Sequence, residues 1–338
     1  LHMKRFLQGV LAIILAMTVA VFGLTSILGT GVAFASTETY VFRLAVEMPI
    51  GHPYWAGASK FNELLQERTE GRVKVEIYPS GQLGTQKETA EAVAMGALEF
   101  SLVSGSILER YDPRAEAVGL PYIFRDLDHC YKTMFGAYGK EMSSWFEPKG
   151  IMVPAYFLNG PKHVTSRVLI RGPEDMKGIK LRTQQAATMI EFGKALGCVV
   201  APMPYGEIYT ALQLGTVDAE VQCVANVLFD KHYEVAKYMN ESVPFVYLEP
   251  LLMSKVVYDN LPKDIQDAIV DCAIKAAEWQ WNYYRSNMYE EYIPKLKELG
   301  VKFTSSDDED WKNALEAAGY YEKFIQHKPL VDEISKVK

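Results

Sequence analysis

The sequence predicts an α/β fold in two domains, bridged by one helix longer than either needs. Strand and helix patterns alternate in two series, the second restarting near residue 150, and no Ser/Gly/Pro-rich linker divides them. A single helical pattern runs from Lys263 to Leu299. At roughly 150 residues per domain, a chain of 338 residues suggests about two domains.

In the first series, YVFRLAVE at 40–47 is β-rich and alternating, and Pro49, Gly51 and Pro53 end it. Trp55, Ala58, Phe61, Leu64 and Leu65 fall at helical spacing between Tyr54 and Thr69, and Gly71 stops that helix. Val73–Tyr78 is a second strand, Gln86–Met95 a helix and Phe100–Val103 a third strand, which is a parallel α/β layout. In the second series, Gly150–Phe157 and Lys162–Ser166 are strands on either side of Asn159-Gly160. Pro173–Lys177 is a helical turn, and Ile179–Arg182, Cys198–Met203 and Ala219–Gln222 are strands. Ala186–Leu196 and Tyr205–Leu214 are the helices between them. This series is expected to form a second domain rather than to extend the first sheet. In the long helix, Ile265, Ile269, Ala273, Ala276 and Trp279 trace one face, and Pro294 should kink it. A shorter helix, Asp307–Ala318, follows.

Composition narrows the function. Hydrophobic residues are 49% and charged residues 23%, ordinary globular usage, and the net charge is −7 without a basic tract, which excludes a nucleic-acid partner. Lys4 and Arg5 precede a long apolar run that ends in Ala33-Phe34-Ala35, the pattern of a secretory signal cleaved after Ala35. Leu1-His2 before Met3 resembles a cloning scar, and an uncleaved anchor is the competing reading of the run. Removing these 35 residues with their two cations leaves 303 of 338 and takes the net charge from −7 to −9. Cys130, Cys198, Cys223 and Cys272 form no CxxC and read as buried free thiols.

The search for catalytic chemistry finds no Gly-rich phosphate loop, no H-E-x-x-H, no G-x-S-x-G and no paired histidines at metal-ligand spacing, so neither cofactor nor metal is implied. His52 and His163 read as loop or core residues. Arg182 closes a strand at its carboxyl end, where ligands of open α/β sheets collect, and its planar fork suits a carboxylate. Lys162 adds a cation on a neighbouring strand, and Tyr205 after Pro202-Met203-Pro204 offers a ring wall.

Four stretches, taken together, make a family recognisable: GHPYWAGASKFNELLQERTEGRVKVEIYPSGQLGTQKE, DMKGIKLRT, APMPYGEIYTALQLGTVDAE and HYEVAKY. The chain resembles the extracytoplasmic solute-binding subunits of TRAP (tripartite ATP-independent periplasmic) transporters, the DctP-type receptors. The resemblance implies two α/β lobes with a ligand cleft between them and a long helix spanning both. Residues 36–159 plus about 248–287 would form lobe I, and 160–247 plus about 288–338 lobe II. It also implies a periplasmic, monomeric receptor without enzyme activity that passes a small organic carboxylate to a membrane permease. In the family the Arg of the K-[IL]-R strand clamps the carboxylate, and that position is Arg182. Lys162, in Asn-Gly-Pro-Lys, stands where the family usually has Arg, and Gln222 stands where it has a ligand-binding Asn. Tyr205 takes the aromatic position that lines the ligand, Glu207 a scaffold position, and Glu47 ends the first strand where many carboxylate receptors carry a neutral polar residue. Because a buried carboxylate needs a partner, Glu47 either pairs internally, with Lys162 or another cation, or meets a cation on the ligand. That places a zwitterionic amino acid or ectoine-like compound first, a hydroxy- or keto-monocarboxylate next and a C4-dicarboxylate last. The rival functions are a secreted enzyme acting on a small carboxylate and a ligand-binding partner of a membrane sensor.

Overall fold

Residues 38–338 are described by the structure, a computed structural model; the segment on which the export reading rests lies outside them. The first series appears as expected, with β1 (Tyr40–Val46), α1 (Pro53–Arg68), β2 (Val73–Tyr78), α2 (Gln86–Ala94) and β3 (Phe100–Leu102). Local chemistry explains the helix starts. His52 caps α1 by accepting the Tyr54 amide at Nδ1, with Pro53 in the first turn, and Thr85 and Glu88 form a capping box on α2. Two helices that the sequence reading did not assign, α3 (Leu127–Phe135) and α4 (Ala137–Ser144), lead into β4 (Ile151–Ser166). Then come β5 (Lys180–Thr183), α5 (Ala187–Ala195), β6 (Val199–Pro202), α6 (Ile208–Leu214), β7 (Ala219–Cys223) and α7 (Val224–Phe229). The chain continues through β8 (Tyr238–Ser254), α8 (Lys255–Asp259), α9 (Lys263–Asn287) and α10 (Ile293–Glu298). It closes with β9 (Lys302–Thr304), α11 (Asp308–Ala317) and α12 (Lys328–Lys336).

The strands form one sheet in the order β2-β1-β3-β8-β4-β7-β5-β6, with β9 beside β8. This corrects the expectation that the second series would not extend the first sheet. The reason is the length of β4 and β8, 16 and 17 residues, which pair antiparallel from Ile151↔Ser254 to Ser166↔Tyr238. One end of β8 carries β3 and the parallel β1–β2 cluster, while the far part of β4 carries β7 and the parallel β5–β6 cluster. Each cluster has its own core. Phe42, Leu44, Phe61, Phe100, Ile265 and Ile269 fill one, and Leu181, Phe192, Val221, Phe245, Trp311 and Leu315 the other. Each such side chain contributes about 1.5–3 kcal/mol on burial. The result is a two-lobed α/β architecture held on two shared strands.

The break expected at Asn159-Gly160 is a bulge instead. The β4–β8 register slips between Leu158 and Gly160 and again between Lys162 and Val164. Gly160 has φ +113 and lies where an added Cβ would overlap the Tyr284 hydroxyl, so the position needs glycine. The irregular backbone is satisfied from α9. Gln280 accepts from Leu158 N at 2.9 Å and donates to Leu158 O at 3.0 Å, and Trp281 Nε1 donates to Tyr156 O at 3.0 Å.

The long helix differs from expectation in two ways. Its buried stripe passes through Ala276, Ala277, Gln280, Trp281 and Tyr284, so Trp279 is on the outside, stacked on Tyr283. The irregularity begins before Pro294, at a π-helical turn from Met288 to Tyr292, and Pro294 sits harmlessly in the first turn of α10. Removing the Gln280 amide leaves a buried donor and acceptor unpaired. Gln280→Ala should therefore lose about 1–3 kcal/mol of stability in urea unfolding. An unchanged midpoint would show that the bulge does not depend on this side chain.

Candidate functional site

The carboxyl ends of β5 and β6 position the central cation. Pro204 disfavours helical backbone at Met203, whose amide donates to Thr183 O at 3.2 Å and whose carbonyl is then free to turn inward. Arg182, only 3% exposed, donates Nε and Nη2 to that carbonyl at 3.3 and 2.9 Å. The occupied edge of the guanidinium is the Nε/Nη2 side, which leaves the Nη1/Nη2 edge for an external acceptor. Across the β5–β7 ladder Arg182 is in register with Glu220, itself buried and joined to His232 Nδ1 at 2.7 Å. Burial pulls the pKa of Arg182 below its usual value, and Glu220, Tyr205 and Glu47 pull the other way.

Lys162 projects from the bulged part of β4 and is fully buried. Its ammonium contacts Gln222 Oε1 at 3.4 Å and lies 4.7 Å from the centre of the Tyr247 ring. Burial brings its pKa down to about 8, with nearby Arg182 adding to the fall and Cys223, Glu249 and Glu220 opposing it. Gln222 is placed by β7, and its Oε1 also accepts its neighbour's amide, Cys223 N, at 3.2 Å.

Glu47 and Tyr205 stand beside Arg182. Both line a cleft of about 430 Å³ together with Gln86, Ser106, Arg182 and Gln184. Burial raises Glu47 to about 7, and the Gln86 side chain and Arg182 partly offset this. Among the described residues neither Lys162 nor any other cation lies within ion-pair distance of Glu47, so the pairing with Lys162 that the sequence suggested does not form. The Tyr205 hydroxyl donates to Asp230 at 2.7 Å, which fixes its ring against the cleft. Glu207, expected to be scaffold, is in the short turn that leads into α6. The two strand clusters also touch across the centre of the sheet. Gln184 Nε2 donates to Ser104 Oγ at 3.0 Å, and Thr188 Oγ1 donates to Glu109 at 2.7 Å.

The structure thus places Arg182, Glu47 and Tyr205 on one cleft and brings Lys162 into contact with Gln222, near enough to Arg182 to feel its charge; neither Lys162 nor Gln222 lines that cleft. His52 and His163 are buried, with pKa values lowered by burial to about 3 and 4. Since Nδ1 of His52 accepts an amide, its Nε2 carries the proton and donates to Asn226 Oδ1 at 3.3 Å. Gln86, which lines the cleft, and Glu249, buried on β8, were not singled out by the sequence reading. The signal for Glu249 was there, a lone acid in the apolar run FVYLEPLLM, which reads as a buried charge.

Several groups titrate with the same sign near neutrality. Burial raises Glu47 and Glu109 to about 7 and Glu249 to about 8, from an ordinary 4.5. His232 is also raised, because Glu220 outweighs its burial. A raised folded pKa gives stability that is present at low pH and lost as pH climbs through that value. The lowered histidines act oppositely, but only below their ordinary 6.5, and Lys162 only above about 8. The melting temperature without ligand should therefore fall between about pH 6.5 and 8. Glu109→Gln, which keeps a partner for Thr188, should flatten that fall. An identical slope in the variant would remove Glu109 from the titration.

Matches to known proteins give the family. Residues 44–327 match the family model for bacterial extracellular solute-binding proteins, family 7, named DctP. The 2,3-diketo-L-gulonate-binding periplasmic protein YiaO of Escherichia coli (strain K12) is 33% identical over 262 residues, 76% of this chain and 79% of that one. A TRAP periplasmic solute-binding protein from Polaromonas sp. JS666, solved bound to D-erythronate, superposes with a TM-score of 0.84 at 28% identity, covering 89% of this chain and 99% of that one. One from Xanthobacter autotrophicus Py2, solved with β-D-galacturonate, has a TM-score of 0.84 at 27% identity over 88% of this chain and 100% of that one. The chain belongs to family 7 of the bacterial extracellular solute-binding proteins, the DctP family.

Proposed function

We propose that this chain is the periplasmic receptor of a TRAP transporter, that it binds a small hydroxylated monocarboxylate, and that it hands the ligand to a membrane permease without transforming it. The observation that carries this reading is Arg182, buried at the end of β5 with its Nε/Nη2 edge held by Met203 O and its Nη1/Nη2 edge open. Such a cation is costly to bury alone, and a carboxylate placed on the open edge relieves the cost with two parallel hydrogen bonds. Gln222 and Lys162 supply an amide and a second positive charge beside it, and Tyr205 the wall. The relatives solved with D-erythronate and β-D-galacturonate support a hydroxy acid, since both ligands carry one carboxylate and several hydroxyls. The lobes divide at residues 36–159 plus about 248–287 and 160–247 plus about 288–338, with β4 and β8 as the hinge. The receptor acts as a monomer.

A zwitterionic ligand is the second reading, and Glu47 favours it by placing a carboxyl in the same cleft as Arg182. The hydroxy acid takes precedence because the Gln86 side chain and the Arg182 charge already support Glu47, so it does not require a cation from the ligand.

Arg182→Ala should fold normally and weaken binding of D-erythronate or D-galacturonate, whichever the wild type binds, by about 2–5 kcal/mol in calorimetry. Arg182→Lys should also be costly, because an ammonium cannot reproduce the fork. Unchanged affinity in Arg182→Ala would remove this residue from the site. Scattering should show a smaller radius of gyration with ligand, and identical curves would contradict closure. For Glu47→Gln, a loss of affinity confined to an amino acid, with its deaminated analogue unaffected, would favour the zwitterion. Similar small effects on both support the hydroxy acid.

A further inference from the structure

Beside the two strands that join the lobes, β4 and β8, a third crossing is made of side chains. Ser104 follows β3 and caps the helical turn Gly105–Arg110, while Gln184 follows β5. Gln184 Nε2 donates to Ser104 Oγ at 3.0 Å, and Thr188, at the start of α5, donates Oγ1 to Glu109 Oε1 at 2.7 Å. Ser104, Glu109 and Thr188 are all buried. Each side is anchored in its own lobe. Ser104 N donates to Gln86 Oε1 at 2.7 Å, and Ser106 Oγ donates to Ser104 Oγ at 3.2 Å. On the other side, Thr188 O accepts from the Tyr320 hydroxyl at 3.1 Å.

This crossing lies against the middle of the shared strands. Gly105 is so close to β8 that an added Cβ would come within 3.3 Å of Leu248 O. Ser106, Leu108 and Glu109 line a cavity of about 10 Å³ together with Tyr156 of β4 and Tyr247 and Leu248 of β8. Leu248 pairs with Leu158, where the first of the two slips near Gly160 begins, so the side-chain crossing covers the irregular part of the ladder. Gly119 is packed against it from the turn Pro113–Gly119. A Cβ there would lie 2.9 Å from Glu109 Oε1 and 3.2 Å from Thr188 Oγ1.

We infer that the pairs Ser104–Gln184 and Glu109–Thr188 form a tie that limits how far the cleft opens. The inference rests on the two-lobed closure proposed above. A bulged ladder lacks some of its hydrogen bonds and bends there, and hinge motion is absorbed by a few such residues. The tie adds two hydrogen bonds whose partners belong to different lobes. Wide opening must break them and leave buried donors and acceptors unpaired, which opposes it. Arg182 and Gln184, two residues apart, both line the cleft, so the tie ends beside the clamp. A ligand held on Arg182 therefore finds the other lobe already near, and less of its binding free energy goes into closure. Because the tie is made of protein groups alone, it favours every ligand by the same factor.

The test is small-angle scattering of the protein without ligand, comparing the wild type with Ser104→Ala/Thr188→Val and with Gly119→Ala. The first removes both hydrogen bonds, whereas the second keeps every polar group and wedges Glu109 away from Thr188. None of the three positions lines the cleft. Both variants should have a larger radius of gyration than the wild type, and saturating D-erythronate or D-galacturonate should bring the radii together. In calorimetry the variants should bind each of these acids that the wild type binds about tenfold more weakly, by the same factor for both. If the double variant does not fold, as judged by circular dichroism, Ser104→Ala alone and Gly119→Ala carry the test. Ligand-free radii equal to that of the wild type in folded variants would overturn the tie and leave these contacts as packing retained at every opening angle. A loss of affinity without a change in radius would overturn it as well. If the wild type binds neither acid, the ligand reading fails, and the ligand-free radii still decide the tie.

Discussion

The arrangement depends on keeping a guanidinium out of water without neutralising it. Arg182 is buried at the end of β5, yet no carboxylate among the described residues lies within ion-pair distance. The surrounding structure supports it partially. Met203 O holds one edge, and Glu220 stands across the ladder, itself engaged by His232. Full pairing would stabilise the empty protein and close the site to anions. Partial pairing leaves a cation whose remaining hydrogen bonds are best completed by a ligand. A neutral backbone carbonyl suits that purpose, since it orients the fork without cancelling its charge.

The same compromise recurs in the strands that carry the lobes. A regular β4–β8 ladder would be stiffer, but it would place Asn159 and Lys162 on opposite faces. The slips at Leu158 and Lys162 disturb the ladder and remove that alternation. Gln280 from α9 restores the hydrogen bonds that the bulge interrupts, so the long helix is part of the site's foundation as well as of the core. The links between Gln184 and Ser104, and between Thr188 and Glu109, join the two strand clusters beside the cleft.

Much of this was legible in the sequence wherever a local pattern had a local cause. The alternation in β1 and the helical spacing of α1 predicted their elements directly. The single sheet was not legible, because it depends on β8. The polar run Asn240-Glu241-Ser242 and Pro250 argue locally against a central strand, and pairing along β4 overrides them. Trp279 fits the helical stripe by spacing, yet the buried stripe runs through the small residues Ala276 and Ala277 and leaves the large ring outside. At the site, Arg182, Lys162, Gln222, Tyr205 and Glu47 were singled out by motif and strand position; Arg182, Tyr205 and Glu47 line one cleft, while Lys162 and Gln222 are buried in contact with each other. The register slip between Leu158 and Gly160 is not something that spacing reveals.

The central claim is that the cleft orients a carboxylate on the open edge of Arg182. The most direct measurement is a crystal structure of the protein with the tightest-binding hydroxy acid at a resolution that separates the two ends of the ligand. The account predicts the carboxylate on the Nη1/Nη2 edge of Arg182, with the ligand's hydroxyls directed away from that edge. A ligand bound in reverse, or a carboxylate that does not touch Arg182, would contradict it.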